Sequence, residues 1–127
     1  SVVTQAMFII GERRDDRERT LAKARFAVEL DPDFAIFTPL TPFPGTPLYE
    51  EAVREGLIEV RDYSKYDLAH AVMRTDYLSS REVQALMKEC YRVFYGRPLK
   101  VPRGVLSRNR FRRGVNVFFL KRYILGF

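Results

Sequence analysis

The sequence predicts an α/β fold built on two β/α units, and three observations carry that expectation. Phe34-Ala35-Ile36-Phe37-Thr38 is a short run nearly free of polar residues, which suits a strand covered on both faces in a parallel sheet. A proline-stiffened loop and a helix start follow it directly. An earlier apolar stretch, Val2 to Ile10, ends at Gly11 and is also followed by a helical segment. Strand, helix, strand, helix in that order implies parallel pairing and a right-handed crossover.

In chain order, Val2 to Ile10 (VVTQAMFII) is the first strand, with Phe8-Ile9-Ile10 making its end fully apolar. Asp15 or Asp16 caps a helix that runs to about Leu30. Its apolar positions, Leu21, Ala24 and Val28 with Ala22, Phe26 and Leu30, cover two faces, as expected of a helix wedged between a sheet and another element. Asp31-Pro32 stops it. After the second strand, Pro39, Pro42, Pro44 and Pro47 each fix φ and remove a backbone donor, so that loop is neither helix nor central strand. Pro44-Gly45 marks a turn, Thr46 stands at an N-cap position, Pro47 suits the first helical residue, and Gly56 closes the helix.

Ile58-Glu59-Val60 reads as a short strand, Asp62 to Ala71 carries mixed signals, and Val72-Met73 is extended. Leu78 to Gly96 is the clearest helix. Ser79-Ser80-Arg81-Glu82 forms a capping box, and Leu78 and Val83 have staple spacing. Val83, Leu86, Met87, Cys90 and Phe94 share one apolar face, and Gly96 and Pro98 end the helix.

With 127 residues the chain is one domain at most, small for an α/β enzyme. It opens on Ser1 and enters a strand at once, so it reads as a fragment of a longer protein. The net charge of +6 is unevenly placed: through Glu89 the balance is −4, and after Glu89 ten basic residues stand with no acid. Cys90 is the single cysteine, which excludes an internal disulfide framework and favours a reducing, cytoplasmic setting. It equally excludes an iron–sulfur cluster held by this chain alone. No apolar run approaches the roughly 20 residues of a membrane span.

The segment Asp31 to Gly56, and above all Thr41-Pro42-Phe43-Pro44-Gly45-Thr46-Pro47-Leu48-Tyr49 after an apolar strand, resembles the last core strand of cobalamin-dependent radical SAM enzymes. It is similar in particular to the anaerobic magnesium-protoporphyrin monomethyl ester cyclase branch. Tyr63 to Met73 and Tyr91 to Tyr95 look like the region that follows the core in that branch. The resemblance implies that residues 1–57 are the last two β/α units of an incomplete TIM-type barrel, and that 58–127 form a helical C-terminal extension with a basic aromatic tail. It implies S-adenosylmethionine cleavage by a 4Fe-4S cluster and radical chemistry on a large substrate, tetrapyrrole or lipid. In this branch cobalamin binds at a separate N-terminal domain. The C-x-x-x-C-x-x-C cluster motif is absent here, so cluster ligands and cobalamin site are expected in the remainder of the parent polypeptide.

If the two strands are neighbours, the loops after Ile10 and Thr38 lie on one rim. The resemblance implies that Ile9, Ile10 and Gly11 flank the adenine, as in the family's G-x-I-x-G-x-x-E segment. Ile9 and Gly11 match it, whereas Met7 replaces the first Gly and Arg14 replaces the Glu. An adenine ring needs flat apolar walls and a close backbone, or else these residues are simply a packed strand end and a turn glycine. Thr38 offers a hydroxyl to nucleoside or substrate, or satisfies a turn. Phe43 walls the pocket, or packs under the prolines. His70, the sole histidine, makes no metal site alone and pairs with Asp67 three residues away. Cys90 on an apolar helix face is most simply a packed thiol.

From Val115 to Leu125 the terminus is basic and aromatic, including Phe118, Phe119, Tyr123 and Ile124. Three readings stay open: it closes over the enzyme's own core, it lies on an anionic membrane surface, or it tracks a nucleic-acid backbone. The last is disfavoured by the apolar density. A second function class therefore stands beside the enzyme fragment, that of a small basic α/β module binding membrane or nucleic acid.

Overall fold

The structure, a computed structural model, describes residues 2–97, 103 and 105–124. Pro98 and Leu125 lie outside the described residues, as do the side chains of Phe119, Tyr123 and Ile124.

Strand β1 (Gln5–Ile10), helix α1 (Arg17–Leu30) and strand β2 (Phe34–Pro39) form the first crossover, and the two strands pair in parallel. The α/β expectation therefore holds at the level of fold class. Helix α1 starts where the Asp16 carboxylate accepts the Arg19 N–H at 2.8 Å. It stops at Asp31, whose φ of +46° places it in the left-handed region and whose N–H bonds the Ala27 carbonyl. Helix α2 (Pro47–Arg54) begins at the Thr46 cap with Pro47 in the first turn. Gly56, at φ +67°, turns the chain back so that the Leu57 N–H reaches the Ala52 carbonyl at 2.8 Å.

The segment with mixed signals has little regular structure. Tyr63–Lys65 is one 3₁₀ turn capped by Asp62, and Ile58 bridges Met73 antiparallel. Helix α3 (Ser80–Tyr95) has the full capping box at Ser79 and Glu82. Helix α4 (Arg110–Phe119) and a π turn (Leu120–Ile124) follow.

Helices α1 and α3 cover one face of the sheet. Phe8 and Ile10 from β1, Ala35 and Phe37 from β2, Ala24 and Ala27 from α1, and Val83, Leu86, Cys90 and Phe94 from α3 make the main core. Small residues on α1 let it approach both neighbours, which is why its apolar pattern looked split. A second, smaller cluster joins Ala52, Leu57 and Met73 with Leu40 and Ile58 just beyond the C-terminal end of β2.

The outer edge of β2 is closed by side chains instead of a strand. The Tyr95 hydroxyl donates to the Ala35 carbonyl at 3.0 Å and accepts the Ala35 N–H at 3.1 Å. Tyr91 does the same for Phe37, at 3.2 and 3.1 Å. Residues four apart on a helix rise about 6 Å, and residues two apart on a strand about 6.6 Å, so the two spacings match. Pro39, the next position on that edge, has no N–H to satisfy.

The opposite face of the sheet is not covered as the apolar run led us to expect. Met7 and Ile9 there are 64% and 48% exposed, and their register partners Ile36 and Thr38 are half-buried. A strand run this apolar would ordinarily bury both faces. Among the described residues, only the Phe34 end is buried, with the Phe111 ring edge-on at 5.8 Å.

Candidate functional site

Parallel pairing brings the C-terminal ends of β1 and β2 side by side, with Ile9 opposite Thr38 and Ile10 opposite Pro39. Ile9 and Thr38 thus stand next to each other on the open face at the rim. Ile10 points the other way and is fully buried in the main core, where its carbonyl accepts the Leu40 N–H at 2.8 Å. The alternation of side chains along a strand separates these neighbours. Gly11 follows at φ +75°, with Val83 of α3 so near that an added Cβ would come within 3.0 Å of Val83 Cγ1. A turn and a close helix both require glycine there. Phe43 is 41% exposed in the loop beyond β2, and its carbonyl accepts both the N–H and the hydroxyl of Thr46. Arg14, in place of the family's Glu, is exposed.

The loop between β1 and α1 is held by groups that the sequence did not single out. The Lys23 ammonium donates to the Ile9 carbonyl at 2.8 Å, to Glu12 at 2.9 Å and to Asp15 at 2.8 Å. Burial works against its charge, but the hydrogen bonds to Asp15 and Glu12 prevail, and its pKa is raised. The buried Thr75 hydroxyl donates to the Asp15 carbonyl at 2.8 Å. Arg13 pairs with Glu51 at 3.1 Å, with Asp76 at 3.2 Å and with Glu55. These bonds, above all that to Glu55, hold its pKa above the usual arginine value. One arginine therefore ties the loop after β1 to α2 and to the segment before α3. The small cluster around Ala52 is fixed over the rim in this way. No signal of spacing marks Arg13 or Lys23, because their partners come from distant segments.

His70 and Asp67 form a pair, with Nδ1 at 2.8 and 2.9 Å from the two carboxylate oxygens. The hydrogen bond from His70 holds the Asp67 carboxyl below its ordinary value. Asp67 also accepts the N–H groups of Ala69 and His70, so the pair closes a local turn. Cys90 is buried, and burial pushes its thiol up to about 12. A thiol so reluctant to ionise does not fit a cluster ligand. Among the described residues no three His, Cys, Asp or Glu side chains come together as a metal site. The open face carries the apolar side chains of Met7, Ile9 and Ile36 beside Thr38. Among the described residues no helix is long and apolar enough to cross a membrane.

No family model matches the chain. It is 35% identical over 119 residues to an uncharacterized methyltransferase of Pyrococcus horikoshii, an alignment that covers 94% of this chain and 24% of that protein. It is 33% identical over 123 residues to the anaerobic magnesium-protoporphyrin IX monomethyl ester cyclase of Cereibacter sphaeroides, covering 94% of this chain and 20% of the cyclase. A shorter stretch of 41 residues, 32% of this chain and 9% of the relative, is 44% identical to the bacteriochlorophyllide d C-8(2)-methyltransferase of Chlorobaculum tepidum. The chain thus spans a quarter or less of the length of these relatives. They are enzymes of the methyltransferase and cyclase classes. These relatives, the anaerobic magnesium-protoporphyrin IX monomethyl ester cyclase among them, are members of the cobalamin-dependent radical SAM family, and the chain is homologous to a part of each.

Proposed function

We propose that this chain supplies one wall of the S-adenosylmethionine and substrate cavity of a radical SAM enzyme, as the last two β/α units of an incomplete TIM-type barrel. The observation that carries this reading is the pairing of Ile9 with Thr38 at the strand ends, on an apolar face that α1 and α3 leave open. Ligands of parallel α/β sheets bind beyond the carboxyl ends of the strands. With Tyr91 and Tyr95 closing the edge of β2, β2 is the final strand. The remainder of the parent polypeptide then adds at the edge of β1, which pairs only with β2 among the described residues.

In this reading Ile9 lies against the adenine, and the Thr38 hydroxyl offers a hydrogen bond to nucleoside or substrate. Phe43 walls the cavity on the substrate side. Ile10 and Gly11 act from behind: Ile10 anchors the strand end in the core, and Gly11 lets the backbone turn close to the ligand. Lys23 fixes the Ile9 carbonyl and hence the wall. When bound, S-adenosylmethionine with a reduced 4Fe-4S cluster supplies a deoxyadenosyl radical. The cluster ligands, and the cobalamin site of this branch, belong to the remainder of the polypeptide, because this chain's own thiol does not fit the role. This chain's part is to bind, orient and exclude water. The substrate class is large and apolar, tetrapyrrole or lipid, and the setting is the cytoplasm.

The test is anaerobic expression of the full-length gene product, reconstitution with iron and sulfide, and assay of 5′-deoxyadenosine formed from S-adenosylmethionine under reduction. Product formation is expected. An initiator methionine directly before Ser1, with no cysteine-bearing portion ahead of it, would overturn the reading.

One observation favours a second role. Phe111 and Phe118, seven apart on α4, are 65% and 58% exposed, and Arg110, Arg113, Lys121 and Arg122 are exposed on the same terminus. Such a face suits peripheral contact with an anionic membrane. Co-sedimentation with phosphatidylglycerol vesicles and not with phosphatidylcholine vesicles is the expected result. Equal or no binding to the two would remove it, and binding to single-stranded nucleic acid instead would replace it.

A further inference from the structure

We infer that α4 is a detachable strap: it leaves its seat against β2 when the C-terminal segment meets an anionic membrane surface, and its departure uncovers the Phe34 end of the open face. This rests on the membrane reading above and adds the rearrangement that such contact requires. Arg112, Val115 and Asn116 fall at i, i+3 and i+4 and share the side of α4 that faces the body. Arg112 pairs with Asp33, at the start of β2, at 3.1 Å. Val115 packs against the main core, and Asn116 is only 2% exposed. Beside them the Phe111 ring lies edge-on to buried Phe34 at 5.8 Å.

An amphipathic helix ordinarily buries its large apolar side chains and leaves Arg and Asn to water. Helix α4 does the opposite. Phe111 and Phe118 are more than half exposed, while Arg112 and Asn116 occupy the seat. The seat does not satisfy them. Asn116 Nδ2 turns back to donate to the Arg112 carbonyl at 2.8 Å. Among the described residues, Asn116 Oδ1 and Arg112 Nε are buried without a hydrogen-bond partner. Each carries a desolvation cost while the helix is docked, and water relieves it once the helix lifts. The Arg112–Asp33 pair is partly exposed and offsets little of this. Ten basic residues and no acid follow Glu89, so the surface that draws the helix away is anionic. Lying on lipid buries the two phenylalanines and hydrates Arg112 and Asn116 together, which the docked helix cannot do. A Phe111 ring sunk in lipid cannot also lie against Phe34, so membrane contact and cover of the sheet exclude each other.

The experiment uses the full-length gene product and its N116L and D33N variants. It follows backbone amide exchange by mass spectrometry and co-sedimentation with phosphatidylglycerol vesicles. N116L removes the unsatisfied amide on the side of α4 turned away from Phe111 and Phe118, so it tightens the seat and leaves the lipid-facing side unaltered. Exchange in residues 110–119 should slow about tenfold. Vesicle affinity should fall about tenfold with it, because only the undocked fraction binds. The added apolar character of leucine acts in the other direction. D33N lies outside α4 and should speed that exchange and raise vesicle affinity, each about threefold. Helix α3 should keep its wild-type exchange in both variants; if D33N loses it, N116L decides alone. Vesicle binding that neither variant changes overturns the inference while the membrane reading stands, as does tighter binding by N116L. No vesicle binding by any of the three proteins overturns both.

Discussion

The Tyr95 hydroxyl and the Ala35 peptide exchange two hydrogen bonds, one from the Ala35 N–H at 3.1 Å and one to its carbonyl at 3.0 Å. A helix side chain takes the place of a strand. Y95F leaves a buried donor and acceptor without that partner and should cost about 1–3 kcal/mol of stability, measured by urea unfolding. Y91F should act similarly at Phe37. The Ala35 and Phe37 amides should exchange faster with deuterium in the respective variants. An unfolding midpoint unchanged in the double variant would show that the edge needs no such closure.

Gly11 is under two constraints, its φ of +75° and its approach to Val83. G11A should therefore destabilise by about 1 kcal/mol or more. V83A should relieve the steric part only, so the double variant should not recover fully relative to V83A. In the full-length protein, G11V should weaken S-adenosylmethionine binding with the cluster retained. Unchanged affinity would remove Gly11 from the rim of that site.

The thiol of Cys90 and the ammonium of Lys23 both hold their protons more tightly in the folded chain. Each raised pKa adds stability that is complete below the unfolded value and is lost as pH rises through the folded one. For Cys90 the loss begins near the ordinary thiol value of about 8.5 and continues toward about 12. Lys23 adds to it above roughly 10.4. The urea midpoint should fall between pH 8 and pH 10, and C90A should abolish the early part of the fall. A midpoint that rises over this range would contradict the Cys90 assignment. At pH 8 the native thiol should resist a disulfide reagent that labels the unfolded chain at once.

Arg13 is the joint between the rim loop and the cap, through Glu51, Glu55 and Asp76. R13A should speed proteolysis within residues 57–77 and leave α1 and α3 protected. High salt should have a weaker effect of the same kind, because these ion pairs are partly exposed. Equal cleavage in wild type and variant would mean that the apolar contacts of Ala52, Leu57 and Met73 hold the cap alone.

The elements with strong local chemistry were legible in the sequence. Asp16, Thr46 and Ser79 each cap the helix expected of them, and Gly56 turns the chain where expected. Parallel pairing followed from element order. Helix α4 was hidden, since Gly114 and a run of arginines obscure an amphipathic pattern. The tyrosine closure was partly visible, as Tyr91 and Tyr95 stand four apart beside the apolar face of α3. Their hydroxyl partners were not, because those lie 54 and 60 residues away. The same holds for the rim: Ile9, Ile10 and Gly11 are adjacent in sequence, yet strand alternation puts Ile9 on the open face and Ile10 in the core.

The distance along the chain between Phe37 and Tyr91 also governs synthesis. Among the described residues, the sheet face that carries Phe8, Ile10 and Phe37 has α1 for cover until α3 has been made, with Tyr91 lying 54 residues after Phe37. At about 5–20 residues per second, a ribosome leaves that surface bare for roughly 3 to 11 seconds. The nascent chain therefore passes through a stage at which trigger-factor-type holdases have a defined apolar target, and the arrival of Tyr95 ends it.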